Sequence, residues 1–271
     1  GGGLVSQNKG TIEDCMFKSE SVAESEFADH IEHEFGGISA VNMGKIRNCT
    51  VQGNFKDFDH IGGITGKNYR VINSCRFSNG RIESQAVGGI VSENSGELKD
   101  CTISESVLRG VTVGGICGNN LSNGQITKSV CKGVELSHGT VGGIVGINNG
   151  SLTNSGVDKY SIIFSGNYSG GLCGKLGTSG EIYKCSTNAR IMKGDVSGGI
   201  CGQLRGHSTC VKTYSDTSLV NGVVNGTLFG VIEGSPISST VESCYYIGDL
   251  KTQLVGRDKR SNTFTDDNGI Q

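Results

Sequence analysis

A pair of adjacent glycines returns along this chain at an almost fixed interval, and that interval limits the fold more than any other feature. The pairs stand at Gly36-Gly37, Gly62-Gly63, Gly88-Gly89, Gly114-Gly115, Gly142-Gly143, Gly170-Gly171 and Gly198-Gly199, in steps of 26, 26, 26, 28, 28 and 28 residues. Outlying copies begin at Gly2, 34 residues before the first pair, and at Gly226, 28 after the last. A repeat of this length is the mark of a solenoid, whose units bury their apolar faces only against neighbours. Glycine makes up 45 of 271 residues, which without such a period would point to disorder.

Positions are counted from the first glycine of each pair. Two residues on, every copy is aliphatic: Leu4, Ile38, Ile64, Ile90, Ile116, Ile144, Leu172, Ile200 and Leu228. Such uniformity marks a buried column. The next position is mixed, with Val5, Val91, Cys117, Val145, Cys173, Cys201 and Phe229 beside Ser39 and Thr65. Strict strand alternation turns this apolar strip outward as a docking surface. A bulge at the glycines turns it inward. Exposure of Val91 and Val145 decides between them.

Six residues on stands a corner asparagine: Asn8, Asn42, Asn68, Asn94, Asn120 and Asn148. Asparagine suits a turn, and stacked copies can hydrogen-bond through their amides. Leu176, Leu204 and Ile232 replace it later, so the ladder is helpful but not obligatory. A second strand is led by Ile12, Ile46, Ile72, Leu98, Ile126, Leu152 and Ile182. Three residues later come Cys15, Cys49, Cys75 and Cys101, then Ser129, Ser155 and Cys185. That spacing breaks alternation and calls for a bend between the two positions. A third strand ends just before each next glycine pair.

Three short strands in 26 to 28 residues make one coil of a parallel β-helix. The expected fold is all-β, with about nine coils stacked at strand spacing into a rod roughly 40 Å long. Right-handed coiling follows the rule for parallel crossovers. The expected solenoid spans residues 1–248, with a cap or linker tail over 249–271. The acidic insertion 18–34 has capping-box spacing at Ser21-Val22-Ala23-Glu24, which predicts a short helix or a bulged loop.

The segments Gly143-Ile144-Val145-Gly146 and Gly171-Leu172-Cys173-Gly174, with the Gly-x-Ile-x-Asn-Cys run from Gly44 to Cys49, resemble the GLUG repeat of large bacterial surface proteins. Those include adhesin-like proteins and the non-catalytic part of some immunoglobulin A peptidases. The resemblance runs from Gly2 to about Gly248. It implies an extracellular place, on the cell surface or secreted, and a role in adhesion. It names no ligand.

Chemistry-bearing residues are sparse. Net charge is −2, which gives no electrostatic basis for nucleic-acid binding. No apolar run reaches the length of a membrane span. The eleven cysteines include no Cys-x-x-Cys, and axial stacking holds Cβ atoms farther apart than a disulfide wants. They read as reduced thiols acting as small hydrophobes. In Asp29-His30-Ile31-Glu32-His33-Glu34 the histidines are three apart, not the four of a metalloprotease helix. Asp57 and Glu83 fall at equivalent repeat positions, with Asp59 close by, and are the only carboxylates offered to a carbohydrate-active enzyme.

The expected function is therefore a non-enzymatic repeat segment of a larger surface or secreted protein. It requires no cofactor and acts as a rigid spacer with an adhesive face. Its partners would be a protein or glycan ligand on a host or environmental surface and other domains of the same chain. The alternatives are a polysaccharide lyase or hydrolase and a carbohydrate-binding module.

Overall fold

The computed structural model describes residues 1–24, 33–219, 222–233, 239–247 and 255–258. These form a parallel β-helix, and no helix occurs among them. Each strand pairs in parallel with its equivalent one coil away. The first sheet has ten strands, from Val5–Asn8 to Val255–Asp258, and the second has nine, from Thr11–Glu13 to Thr240–Glu242. The third face is the long side of each coil, where one coil contributes Thr102–Ser104 and Val107–Gly114 and the next Val130–Lys132 and Glu135–Gly142.

The aliphatic column is continuous. The amide of Ile38 donates to the carbonyl of Ile64 at 2.9 Å, Ile64 to Ile90 at 2.9 Å, Ile90 to Ile116 at 3.0 Å and Ile116 to Ile144 at 2.9 Å. The side chains of all five are fully buried. Each such burial stabilises the stack by about 1.5–3 kcal/mol. The glycine pair is required by proximity. A Cβ on Gly143 would lie 2.1 Å from the carbonyl oxygen of Gly171 in the next coil, and one on Gly142 would lie 1.8 Å from that of Val145.

The strip after the isoleucines faces inward. Val91, Val145, Cys117, Cys173, Cys201 and Phe229 are all fully buried, so these six side chains do not form an outward docking strip. Val5, on the terminal coil, is 37% exposed. The hydrogen bonds give the reason. The Ile116 carbonyl accepts from both Ile90 and Val91, and the Ile144 carbonyl from both Ile116 and Cys117. Two consecutive amides on one acceptor form a bulge that breaks alternation.

The bend before the cysteine column has an equally regular cause. The residue ahead of it is left-handed in every coil: Asp14, Asn48, Ser74, Asp100, Lys128, Asn154, Lys184, Lys212 and Ser243 all have φ between 50° and 54°. The following side chain then donates to the carbonyl two residues before itself. Cys49 donates to Arg47 at 3.2 Å, Cys101 to Lys99 at 3.3 Å, Ser155 to Thr153 at 2.8 Å and Thr213 to Val211 at 3.1 Å. Cysteine, serine and threonine alternate here because each supplies a short donor to a corner carbonyl.

Two regions depart from the regular coil. Residues Met16–Glu24 form a strand, not the start of a helix, and the extra residues are absorbed as a register shift between Lys18 and Val22. Phe17 pairs with Val51 and Ala23 with Phe55, so core contacts on both sides of the bulge hold it extended. Residues 25–32, including Asp29, His30 and Glu32, lie outside the described residues. At the other end the first sheet continues past residue 248. Val255–Asp258 pairs with Phe229–Glu233 in register, Phe229 opposite Val255. Val255-Gly256 repeats the end of the glycine motif, while Thr252-Gln253 stand where the pair would be.

Candidate functional site

The asparagine corner is a buried amide chain. Nδ2 of Asn8 donates to Oδ1 of Asn42, Asn42 to Asn68, and Asn68 to Asn94, each at 2.8 Å. Asn94 donates to Asn120 at 2.9 Å and Asn120 to Asn148 at 2.8 Å. Each inner amide also closes its own corner. Nδ2 of Asn94 donates to the Gly96 carbonyl at 3.0 Å, and its Oδ1 accepts from the Gly96 amide at 3.2 Å. The chain ends at Asn148, whose Nδ2 turns to the Glu181 carbonyl at 3.0 Å. The role is structural, because every polar atom is spent on a neighbour.

Burial holds most of the inner thiols protonated, whereas a hydrogen bond from Cys75 lowers Cys49 to about 7. Burial pushes Cys101 and Cys185 up to about 12 and raises Cys117 and Cys131 well above the ordinary thiol value. Cys15, on the first coil, is partly exposed, whereas Cys49, Cys75 and Cys101 are buried.

Among the described residues, one concave feature that can hold a ligand is a cleft of about 660 Å³ on the third face. It crosses five coils, through residues 57–59, 83–85, 109–111, 138–139 and 167, a run of roughly 20 Å at strand spacing. The concavity arises from the strand path. Ile82 and Val87 both point inward although they are five residues apart, as do Leu108 and Val113. Alternation forbids this in a flat strand, so the chain bends between them. Gly110 and Gly139 line the bend, and His138 sits at φ 94°, a strained value for a residue with a side chain.

Asp57 and Glu83 both line the cleft, but they are not stacked. Glu83 is in register with Lys56 on one side and Arg109 on the other. Asp57 is one residue further along, at φ 63°, and Lys56 Nζ lies 3.2 Å from its Oδ2. Arg81 lies 3.5 Å from Glu83. Asp59 Oδ1 accepts from Gln85 Nε2 at 2.9 Å, and its Oδ2 accepts from the His33 amide at 3.1 Å. The register already shifts ahead of Asn54, where the pairing changes from Val51 opposite Phe77 to Asn54 opposite Arg81, and it returns at His60 opposite Ala86, past Asp57. Base and acid therefore alternate along the column as Lys56, Glu83 and Arg109, and Asp57 and Glu83 are not in register to share a proton.

Arg109, His138, Gln85, Phe58 and Asn167 join the lining without having been singled out by the sequence. The mid-strand glycines Gly110 and Gly139 carried the available signal, since glycine weakens a strand interior and marks a bend. Arg109 approaches Glu135 at 3.5 Å, while its buried Nε has no hydrogen-bond partner. Among the described residues no group of three or more His, Cys, Asp or Glu is placed to hold a metal ion, and no helix is long and apolar enough to cross a membrane.

No protein-family model matches this chain, and no curated protein or solved structure matches it either.

Proposed function

We propose that this chain is a non-enzymatic rod segment of a larger surface-displayed or secreted protein, and that the cleft from Asp57 to Asn167 is its ligand-contact face for an extended glycan. The continuous hydrogen-bonded stack of coils supports the spacer role, because every coil is fixed to the next through backbone, aliphatic column and corner. The cleft supports the adhesive role. Its lining mixes amides, carboxylates and a guanidinium with the apolar Phe58 and Val111, the latter 65% exposed, which suits sugar hydroxyls beside a sugar face. The GLUG-like repeat agrees with surface display.

One observation weighs against a lyase or hydrolase. Asp57, Asp59 and Glu83 each have a cationic or amide partner, so none is a free acid facing a free base. Glycan-array binding tests the adhesive role. The expected result is binding that weakens at least tenfold on Arg109→Ala and on Glu83→Gln, with no change in the array during incubation. Depolymerised glycan, lost on Asp57→Asn, would replace this reading with an enzymatic one. Antibody labelling of intact source cells tests display, and labelling only after permeabilisation would contradict it.

A further inference from the structure

We infer that Cys210 and Cys244 form a disulfide that staples the last described coil of the second sheet to the one before it. Their sulfurs lie 3.5 Å apart, and both side chains are fully buried. The two residues belong to different columns. Cys210 occupies the aliphatic column of the second sheet, opposite Ile182 on one side and Val241 on the other. Cys244 occupies the corner column, directly ahead of Tyr245, which pairs with Tyr214.

This diagonal relation recurs through the rod. The corner side chain of each coil reaches back over the aliphatic residue of the coil before it. Cys49 Sγ lies 3.9 Å from the Ile12 carbonyl, Cys101 Sγ 3.9 Å from that of Ile72, and Cys185 Sγ 3.6 Å from that of Leu152. Cys244 Sγ lies 3.3 Å from the carbonyl of Cys210. Elsewhere the partner is Ile or Leu, or the corner is Ser or Thr. Only at 210 and 244 do both columns carry sulfur. Axial neighbours in one column are set by the strand spacing, but this diagonal contact needs a closure of only about 1.5 Å to reach a disulfide bond length.

The bond forms by exchange with a small-molecule disulfide such as oxidised glutathione. One thiolate attacks a donor sulfur and releases one donor thiol. The second thiolate attacks the mixed disulfide and releases the other. The protein loses two electrons and two protons, and the donor disulfide is reduced to two thiols. Because both sulfurs are buried, exchange takes place as the chain folds, before the coil closes. The cross-link spans 34 residues and ties Thr240–Glu242 to Thr209–Val211, fastening the last described rung of the second sheet.

The test refolds the full chain in a glutathione redox buffer, then counts thiols after unfolding and maps peptides without reduction. The expected result is two fewer titratable thiols than the eleven of the sequence and one cross-linked peptide joining Cys210 to Cys244. Dithiothreitol should lower the melting temperature of this sample by several degrees. Two variants keep the fold by using residues that the same columns already carry, Cys210→Ile and Cys244→Thr. Neither should show the cross-link or the dithiothreitol-dependent shift. Eleven free thiols in the refolded protein, or a cross-link between axial neighbours such as Cys49 and Cys75, would overturn the inference. The outcome does not depend on where the protein is displayed or on what its cleft binds.

Discussion

The coils up to Asn148 and the coils from Leu176 onward have one backbone path and two different corners. In the first group the corner is a chain of buried amides, each held by the next and by its own turn. In the second it is a column of Leu176, Leu204 and Ile232, all fully buried. There the turn after Leu176 closes through its own backbone, with the Gly180 amide donating to the Gly177 carbonyl at 3.0 Å. The coil of Asn120 carries both devices, since Gly124 also donates to Leu121 at 2.8 Å. The contrast separates what the fold demands from what it permits. Glycine pairs and the aliphatic column are common to both regions, so they build the coil. The amide chain adds polar satisfaction and axial register to one region, at the risk that a broken link strands its neighbours.

The largest effect should come from the shared element and fall alike on both regions. Gly115→Ala and Gly199→Ala each place a Cβ within 2.3 Å of a carbonyl oxygen in the next coil. Both should destabilise by on the order of 4 kcal/mol or more, read by denaturant unfolding. A mild effect in one region alone would break the claim that the pair is common scaffolding.

Breaking the amide chain should separate the regions. Asn94→Leu leaves Asn120 Oδ1 and the Gly96 amide without their partner and takes one of two acceptors from Asn68 Nδ2, while the Gly96 carbonyl keeps the Gln125 amide at 2.8 Å. The cost should be roughly 3 kcal/mol or more at 1–3 kcal/mol per unsatisfied buried group. Asn148→Leu, at the junction with Leu176, strands fewer groups and should cost about 1–2 kcal/mol. Equal costs would mean that the chain has no cooperative interior.

Alkaline titration sharpens the comparison through the thiols. Cys101 and Cys185 keep their protons to about pH 12 when folded because burial disfavours the thiolate. The unfolded thiols ionise near the ordinary value of ~8.5. The unfolded chain therefore holds fewer protons above that pH. The contribution is complete below it and is lost as pH rises toward 12, by about 1.4 kcal/mol per unit for each such thiol. Unfolding midpoints measured from pH 8 to 11 should fall, and Cys101→Ser should flatten the slope. An unchanged slope in that variant would contradict the assignment.

The smallest effect is a gain. Lys184 holds φ 53° without being glycine. Lys184→Gly should stabilise by about 0.5–1 kcal/mol, relief of left-handed strain outweighing the added freedom of the unfolded chain. Destabilisation would show that the lysine side chain does more at that corner than its strained backbone suggests.

Much of this was legible in the sequence. The interval between glycine pairs announced the coil, and the unbroken aliphatic column and corner asparagines announced what stacks. The inward turn of Val91 and Val145 was not legible, because it depends on one carbonyl accepting two amides, which no residue type encodes. The left-handed corner was hidden for a related reason. Its occupants range from Asp14 to Lys212, and the constraint is met by the donor that follows. The rung at Val255 was masked by Thr252-Gln253 in place of glycines. Asp57 and Glu83 looked equivalent by counting and are offset in space, since the register shifts between Val51 and Asn54 and returns only at His60. The cleft owes its shape to that kind of local bend, and a repeat alignment averages it away.

The central claim is that consecutive coils lie in register, with corner amides stacked one above another. Hydrogen exchange of side-chain amides, followed by NMR in native protein, tests it most directly. Both Nδ2 protons of Asn42, Asn68 and Asn94 should exchange far more slowly than those of an exposed asparagine, because one is donated to the next asparagine and the other to its own turn. Exchange of these protons at the rate of a free side-chain amide would contradict the stack.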